Sequence, residues 1–259
     1  MLRSRIIPCL LVHEEGLVKT QQFRDPKYVG DPINAVKIFN EKEVDELIVL
    51  DIDASVKGKD PDYKMIENLA AECRMPLCYG GGVKSVEQAM KIVSLGVEKV
   101  ALSSAFEENP SLAAELAATV GSQSVVAVVD VKKTGLFSKY TIFTLNGKRR
   151  SKRDLEEYCQ ALEEAGVGEI VVNSIDQDGM MSGYDGKLID IIRDTVSIPM
   201  TVMGGAGNLG DIKSLVQKHG VIGAAAGSLF VFKGVYRAVL INYPQPKEKR
   251  ALLRQVKTS

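Results

Sequence analysis

The sequence predicts an α/β fold, a single (β/α)8 barrel over residues 1–259 made of two similar (β/α)4 halves. Three observations lead there. Continuous apolar strands alternate with amphipathic helices, the pattern of a parallel sheet buried on both faces. Two glycine runs, LCYGGGVKS at 77–85 and TVMGGAGN at 201–208, each end an apolar run, turn and open a helix; Gly80 and Gly204 lie 124 positions apart, close to half the chain. Further pairs keep nearly that offset. KVALSSA (99–105) echoes AAAGSLF (224–230), VLDIDAS (49–55) echoes VNSIDQDG (172–179), and PCLLV (8–12) echoes AVVDV (127–131). The halves then run over about 1–121 and 122–245.

In chain order, Arg5 to Val12 reads as the first strand, followed by a loop, HEEGLVKT, that holds Lys19. Asp31 suits the N-cap and Pro32 the first position of a helix whose apolar Ile33, Val36 and Phe39 share one face. ELIVLDID (46–53) is the second strand. A helix near 61–73 leads to a strand at 76–79, and a helix over about 85–95 leads to a strand at 98–102. NPSLAAELAATV (109–120) predicts a helix capped by Asn109 with Pro110 inside it. SVVAVVDV (124–131) is the fifth strand, and the alternating segment 132–151 around Asn146-Gly147 predicts a small β insertion. A helix over 153–166 closed by Gly166, strands at 168–175, within 197–205 and at 221–228, and a last helix near 232–241 complete eight strand–helix units.

Composition narrows the function. Lys plus Arg equals Asp plus Glu at 33 each, so nothing points to nucleic acid or an anionic membrane. No apolar run reaches the ~18 residues of a membrane span, and Ile6 to Val12 is too short for a secretory core and contains Pro8. Cys9, Cys73, Cys78 and Cys159 form no C-x-x-C pair, and His13 and His219 are the only histidines, so neither a zinc site nor another cofactor is expected. Scattered thiols read as reduced core cysteines of a cytoplasmic protein.

Barrels of this class carry their chemistry at the C-terminal strand ends. There, Gly82, Ser103 and Ser104 from one half and Gly179, Gly205, Gly227 and Ser228 from the other, with Asp178 beside them, form two groups rich in backbone N–H and hydroxyl donors. Each suits a phosphate, which implies an elongated ligand phosphorylated at both ends. Asp51 and Asp130 lie between the groups as candidate acid–base carboxylates; Asp130 ends an otherwise apolar strand, and the matching position in the first half is Leu11, which moves no proton. At the opposite ends Arg5, Glu46, Lys99 and Glu169 fall at or just before strand starts. Spacing alone reads them as solvent-facing charges; pointing inward, they would form a self-neutralising ring.

RIIPCL (5–10), GLVK (16–19), GDP (30–32), DEL (45–47), LDI (50–52), GGG (80–82), NPSL (109–112), the SIDxDGxxSGYD pattern (174–185) and GGAG (204–207) resemble the cyclase subunit family of imidazole glycerol phosphate synthase (HisF) nearly end to end. The resemblance implies a barrel that receives ammonia from a glutaminase (HisH-like) subunit docked on its N-terminal face. Its reaction converts a phosphoribulosyl aminoimidazole-carboxamide nucleotide to imidazole glycerol phosphate and an aminoimidazole carboxamide ribotide. It further implies that Asp130 is a catalytic carboxylate, that Lys19 is a flexible-loop lysine closing the site, and that Arg5, Glu46, Lys99 and Glu169 gate the ammonia channel, which reverses the solvent-facing reading. Glu98 matches an acidic docking position. The departure is PCLLV, where the family has a second catalytic aspartate in place of Leu11; Ser103-Ser104 replaces the usual Asn-Thr. PKYVGDPINAVKIFNEKEVDELIVLDIDAS and AAGSLFVF resemble a divergent branch that works with a glutaminase paralogue and a sugar amidotransferase, passing ammonia on for amidation of surface-polysaccharide sugars.

Overall fold

In a computed structural model that describes residues 3–253, eight parallel strands close on themselves. They are β1 (Arg5–His13), β2 (Leu47–Asp51), β3 (Leu77–Gly80), β4 (Lys99–Leu102), β5 (Val125–Thr134), β6 (Glu169–Ser174), β7 (Met200–Met203) and β8 (Gly223–Ala226). Each pairs in parallel with its neighbours, β1 pairs with β8, and the β5–β6 ladder completes the ring. The expected (β/α)8 barrel is therefore present.

Strand alternation sorts the apolar residues into two shells. The outer shell packs strand residues such as Ile6, Leu47, Tyr79 and Ile170 against helix residues such as Val36, Phe39, Ile66 and Ile192. The inner shell is small: Ile7, Cys9, Ile48, Cys78, Ala101, Val126, Val128, Val171, Met203 and Ala225 fill the barrel, with Leu11 and Leu50 against them. Cys9, Cys78 and Cys159 are buried free thiols.

Several expected local signals hold. Asp31 caps α1 (Pro32–Glu41) by accepting from the Asn34 N–H at 2.8 Å, with Pro32 in the first turn. The helix expected over about 85–95 is α3 (Val86–Ser94), which follows α2 (Tyr63–Glu72); its cap, Ser85, is not among the expectations. The insertion is antiparallel: β5 runs on to Thr134, pairs with Lys139–Thr144, and that strand pairs with Arg149–Arg150. Its inner turn places Leu145, Asn146 and Gly147 at positive φ.

Three expectations are corrected. The segment after β1 is not a loop: Gly16–Gln21 pairs antiparallel with both β1 and Arg24–Gly30. Leu17, Val18, Lys19 and Thr20 are all buried, so no alternation betrays the strand. Asn109 does not cap the fourth-unit helix and Pro110 lies outside it: that helix, α4 (Leu112–Val120), has Ser111 at its N-cap position, and Asn109 Oδ1 accepts from the Ser111 hydroxyl at 2.9 Å rather than from a helix N–H. No helix spans 232–241: a short turn of helix, Ser228–Val231, leads into a hairpin of Phe232–Lys233 with Ala238–Val239. Gly234 and Arg237 adopt positive φ there, which a helix does not admit. The outer layer is completed by α5 (Leu155–Glu164), α6 (Gly186–Thr195), α7 (Leu209–His219) and α8 (Pro246–Leu252). Among the described residues no helix is long and apolar enough to cross a membrane.

Candidate active site

The C-terminal strand ends surround a cleft of about 1170 Å³, counting its open mouth. Lys19, Asp51, Gly82, Ser103, Ser104, Asp130, Asp178, Gly179, Gly205, Gly227 and Ser228 all line it, together with Leu11.

Asp130 stands near the end of β5, on the barrel's inner face after Val126 and Val128. It keeps a partial opening to the cleft, yet its surroundings are apolar enough that desolvation pushes its carboxyl up to about 7; the Asn173 amide pulls against that shift and the Asp178 charge adds to it. The register sets Asn173 beside Asp130, and Asn173 Nδ2 donates to Asp130 Oδ1 at 2.9 Å. A carboxyl that titrates near neutrality can both take and return a proton. Asn173 escaped notice in the sequence, although Glu169, Val171 and Asn173 share one strand parity and so one inward face.

Asp51 is differently placed. Its Oδ1 accepts from the Asp53 and Ala54 N–H groups at 2.9 and 3.0 Å, which fixes the turn after β2. Burial raises its carboxyl, opposed by those two hydrogen bonds.

Lys19 sits on a strand rather than a loop, and its amine is buried, donating to the Cys9 carbonyl at 2.6 Å. Desolvation lowers its affinity for a proton. The end of that strand is tied to the turn after β6: Thr20 Oγ1 and the Phe23 N–H donate to Asp178 Oδ2 at 2.7 and 3.3 Å, and the Gln22 N–H donates to the Asp178 carbonyl at 2.9 Å. The Asp178 carboxylate is thus engaged with the strand, and an ionised carboxylate has no hydrogen to offer a phosphate.

The two donor groups fall on opposite sides of the mouth, since β4 and β8 are four strands apart in an eight-stranded ring. Ser104–Glu108 starts after Ser103 and Ser228–Val231 starts after Gly227, both without a side-chain cap, so each start presents free N–H groups to the cleft. Ser104 Oγ accepts from the Leu145 N–H at 3.0 Å and keeps its own hydrogen to donate. The Gly82 N–H is already bonded to Ser55 Oγ at 3.2 Å. Gly205, at φ +114°, passes so close to Gly183 that a Cβ would lie 2.0 Å from the Gly183 carbonyl oxygen. Only glycine allows that turn, which keeps the Gly205 backbone in the cleft lining.

At the other end of the barrel Arg5, Glu46, Lys99 and Glu169 point inward, which corrects the reading from spacing. Arg5 bridges Glu46 and Glu169, the latter at 2.7 Å, and Lys99 bridges the same two at 2.8 Å each. Signs alternate around a closed ring. Thr201 Oγ1 adds a 2.6 Å bond to Glu169. Burial alone would raise the Glu169 carboxyl, but Arg5 and Lys99 together hold it down at about 2. Glu98 lies beside the ring with Oε2 accepting from the Leu77 N–H at 2.7 Å.

Comparison with known proteins gives a consistent picture. The model of the family described as histidine biosynthesis protein matches residues 5–237. A Vibrio vulnificus protein provisionally named imidazole glycerol phosphate synthase subunit hisF3 is 58% identical over 253 residues, covering 98% of this chain and 97% of its own. A Pseudomonas aeruginosa protein provisionally named subunit hisF2 is 54% identical over 244 residues, 94% and 97% of the two chains. The imidazole glycerol phosphate synthase subunit HisF of Streptococcus sanguinis is 37% identical over 230 residues, 89% and 91%.

Proposed function

The chain belongs to the histidine biosynthesis protein family, and from that premise we propose that it is a synthase subunit of the HisF type. It receives ammonia from a glutaminase subunit on the N-terminal barrel face and uses it in the cleft on a ligand phosphorylated at both ends. The observation that carries this reading is the placement of a neutralised four-charge ring at one end of the barrel axis and Asp130 at the other. Between them lie small apolar side chains, Cys9, Cys78, Ala101 and Ala225 among them. A neutral small molecule passes such an interior with little desolvation cost, whereas an ion does not.

In the cyclase reaction Asp130 moves protons at the ring-forming carbons and nitrogens, with Asn173 fixing the carboxyl's direction. Lys19, held on its strand with its amine in the cleft wall, supplies a fixed donor to the ligand. The donors at Ser104, Gly205 and Ser228 hold the two phosphates.

Leu11 favours a second reading. It lines the cleft where a second proton-transfer group would stand, and losing a general acid or base costs about 10²- to 10⁴-fold in rate. In that case the subunit delivers ammonia for amidation of a nucleotide-linked or surface-polysaccharide sugar, with a sugar amidotransferase as the acceptor's partner.

One assay separates the two. Purified protein and its Leu11→Asp variant are given the ribulosyl nucleotide and saturating ammonium. Comparable turnover by both supports the cyclase reading; turnover by the variant alone supports ammonia delivery; turnover by neither, with no effect on a cognate glutaminase, removes both.

A further inference from the structure

A second, smaller recess adjoins the cleft, lined by Lys19, Thr20, Gln21, Asp25, Lys27, Phe232 and Arg237. Two segments far apart in sequence build it, the hairpin after β1 and the hairpin after β8. Lys19 and Lys27 are direct cross-strand partners, a like-charge pairing that destabilises a ribbon unless something neutralises it. Arg237 reaches in from the other side. Its Nη2 donates to the Gly179 carbonyl at 3.1 Å, which ties this recess to one phosphate-suited end of the cleft. Its Nε is buried and donates to nothing among the described residues. Lys27 Nζ and Arg237 Cζ lie 5.3 and 5.1 Å from the centre of the Phe232 ring, so the two cations flank one aromatic side chain. Among the described residues no carboxylate lies within ion-pair distance of Lys27 or Arg237, and Asp25 is the one acidic side chain in the lining. Two cations, Lys27 and Arg237, face one carboxylate.

We propose that this recess is an anion subsite, a place for a second phosphate group on a ligand whose first phosphate is held at Gly205, Gly227 and Ser228. The ligand class is then a diphosphate at that end, which fits the nucleotide-linked ligand of the second reading and not the ribulosyl nucleotide of the cyclase reading. The inference rests on the reading of the cleft as a phosphate site. Lys27 supplies a charge that reorients freely, and Arg237 supplies the charge of a guanidinium already fixed by Gly179. Such an arrangement recognises phosphate oxygens by charge-assisted hydrogen bonds.

The test is calorimetric titration of the full chain with inorganic phosphate and with pyrophosphate, at fixed ionic strength, for wild type, Lys27→Gln and Arg237→Gln. Wild type is expected to bind pyrophosphate roughly tenfold more tightly than phosphate, the worth of one added charge-assisted hydrogen bond. Both variants are expected to lose that preference. Lys27→Gln is the decisive variant, because Lys27 makes no bond to the Gly179 turn, whereas Arg237→Gln also loosens that turn. Phosphate binding without a pyrophosphate preference overturns the subsite and leaves the cleft reading standing. A preference that survives in Lys27→Gln also overturns it. Binding of neither anion overturns both the subsite and the phosphate reading of the cleft.

Discussion

Asn173 Nδ2 holds Asp130 Oδ1 at 2.9 Å across the β5–β6 ladder, so the one carboxyl that burial lifts to about 7 is also aimed by a neighbour on the next strand. In the unfolded chain the same group titrates near 4. Below about pH 4 both states carry the proton. Between there and 7 the folded state keeps a proton that the unfolded chain has lost, so stability falls as pH rises, and above 7 the full cost of the buried charge is present. Asp130→Asn removes the charge at constant shape. It is expected to be more stable than wild type at pH 8, by up to about 4 kcal/mol, and equal to it near pH 4. Urea unfolding of the two proteins at both pH values checks this; a difference that does not change with pH refutes it.

The ring at the barrel floor predicts a different pH response. Lys99→Met leaves Glu46 and Glu169 sharing Arg5 alone, with both carboxylates almost fully buried. Stranding a buried charge costs about 3–5 kcal/mol. The double variant Lys99→Met/Glu46→Gln removes the stranded charge and is expected to recover part of that loss. Glu169 is depressed in the fold, so its contribution is present above the ordinary carboxylate range near pH 4 and is lost as pH falls through about 2. Denaturation midpoints of the single and double variants at pH 7 give the answer: additive losses mean that the ring is not a unit.

Gly223 allows the ring to be built. A Cβ on it would lie 1.8 Å from Thr201 Oγ1, the hydroxyl that donates to Glu169. Gly223→Ala therefore pushes Thr201 away and is expected to cost about 1–3 kcal/mol through overpacking. Thr201→Ala in the same background removes the 1.8 Å clash but leaves the residue 201 Cβ at 2.8 Å and gives up the bond to Glu169, so part of the stability is expected to return. A Gly223→Ala protein as stable as wild type would count against the close packing described here.

Much of this was legible along the chain. The eight strands and most helices follow from apolar runs, the Asp31 cap and glycine turns, because each is a local signal. The strand Gly16–Gln21 was not, because a segment buried on both sides loses the alternation that marks a strand. Asn109 misled because the helix starts later, at Leu112, and the Asn109 side chain bonds the Ser111 hydroxyl instead of a helix N–H. The ring of Arg5, Glu46, Lys99 and Glu169 could not be told from solvent-facing strand starts by spacing, since inward direction depends on register around the closed barrel. Arg237 and Lys27 meet only through the tertiary fold, and the expected helix at 232–241 hid the hairpin that brings Arg237 back to Gly179.

The last prediction concerns Lys19 and the residue missing from its surroundings. The Lys19 amine is buried against the Cys9 carbonyl, and desolvation lowers its proton affinity, a shift that the nearby Asp178 carboxylate opposes. Leu11 lines the same cleft and offers it no charge. Leu11→Asp places a carboxylate in that wall. An opposite charge within about 4–6 Å favours the protonated amine, so the Lys19 pKa is expected to rise. The new carboxyl is held ionised in return, and the variant is expected to lose little stability where a lone buried carboxylate would lose several kcal/mol. Lysine-selective acylation as a function of pH, read at Lys19 by mass spectrometry, tracks the amine directly. A reactivity profile that moves to higher pH in the variant ties Leu11 to the lysine's charge state. An unchanged profile means that the two side chains do not sense each other.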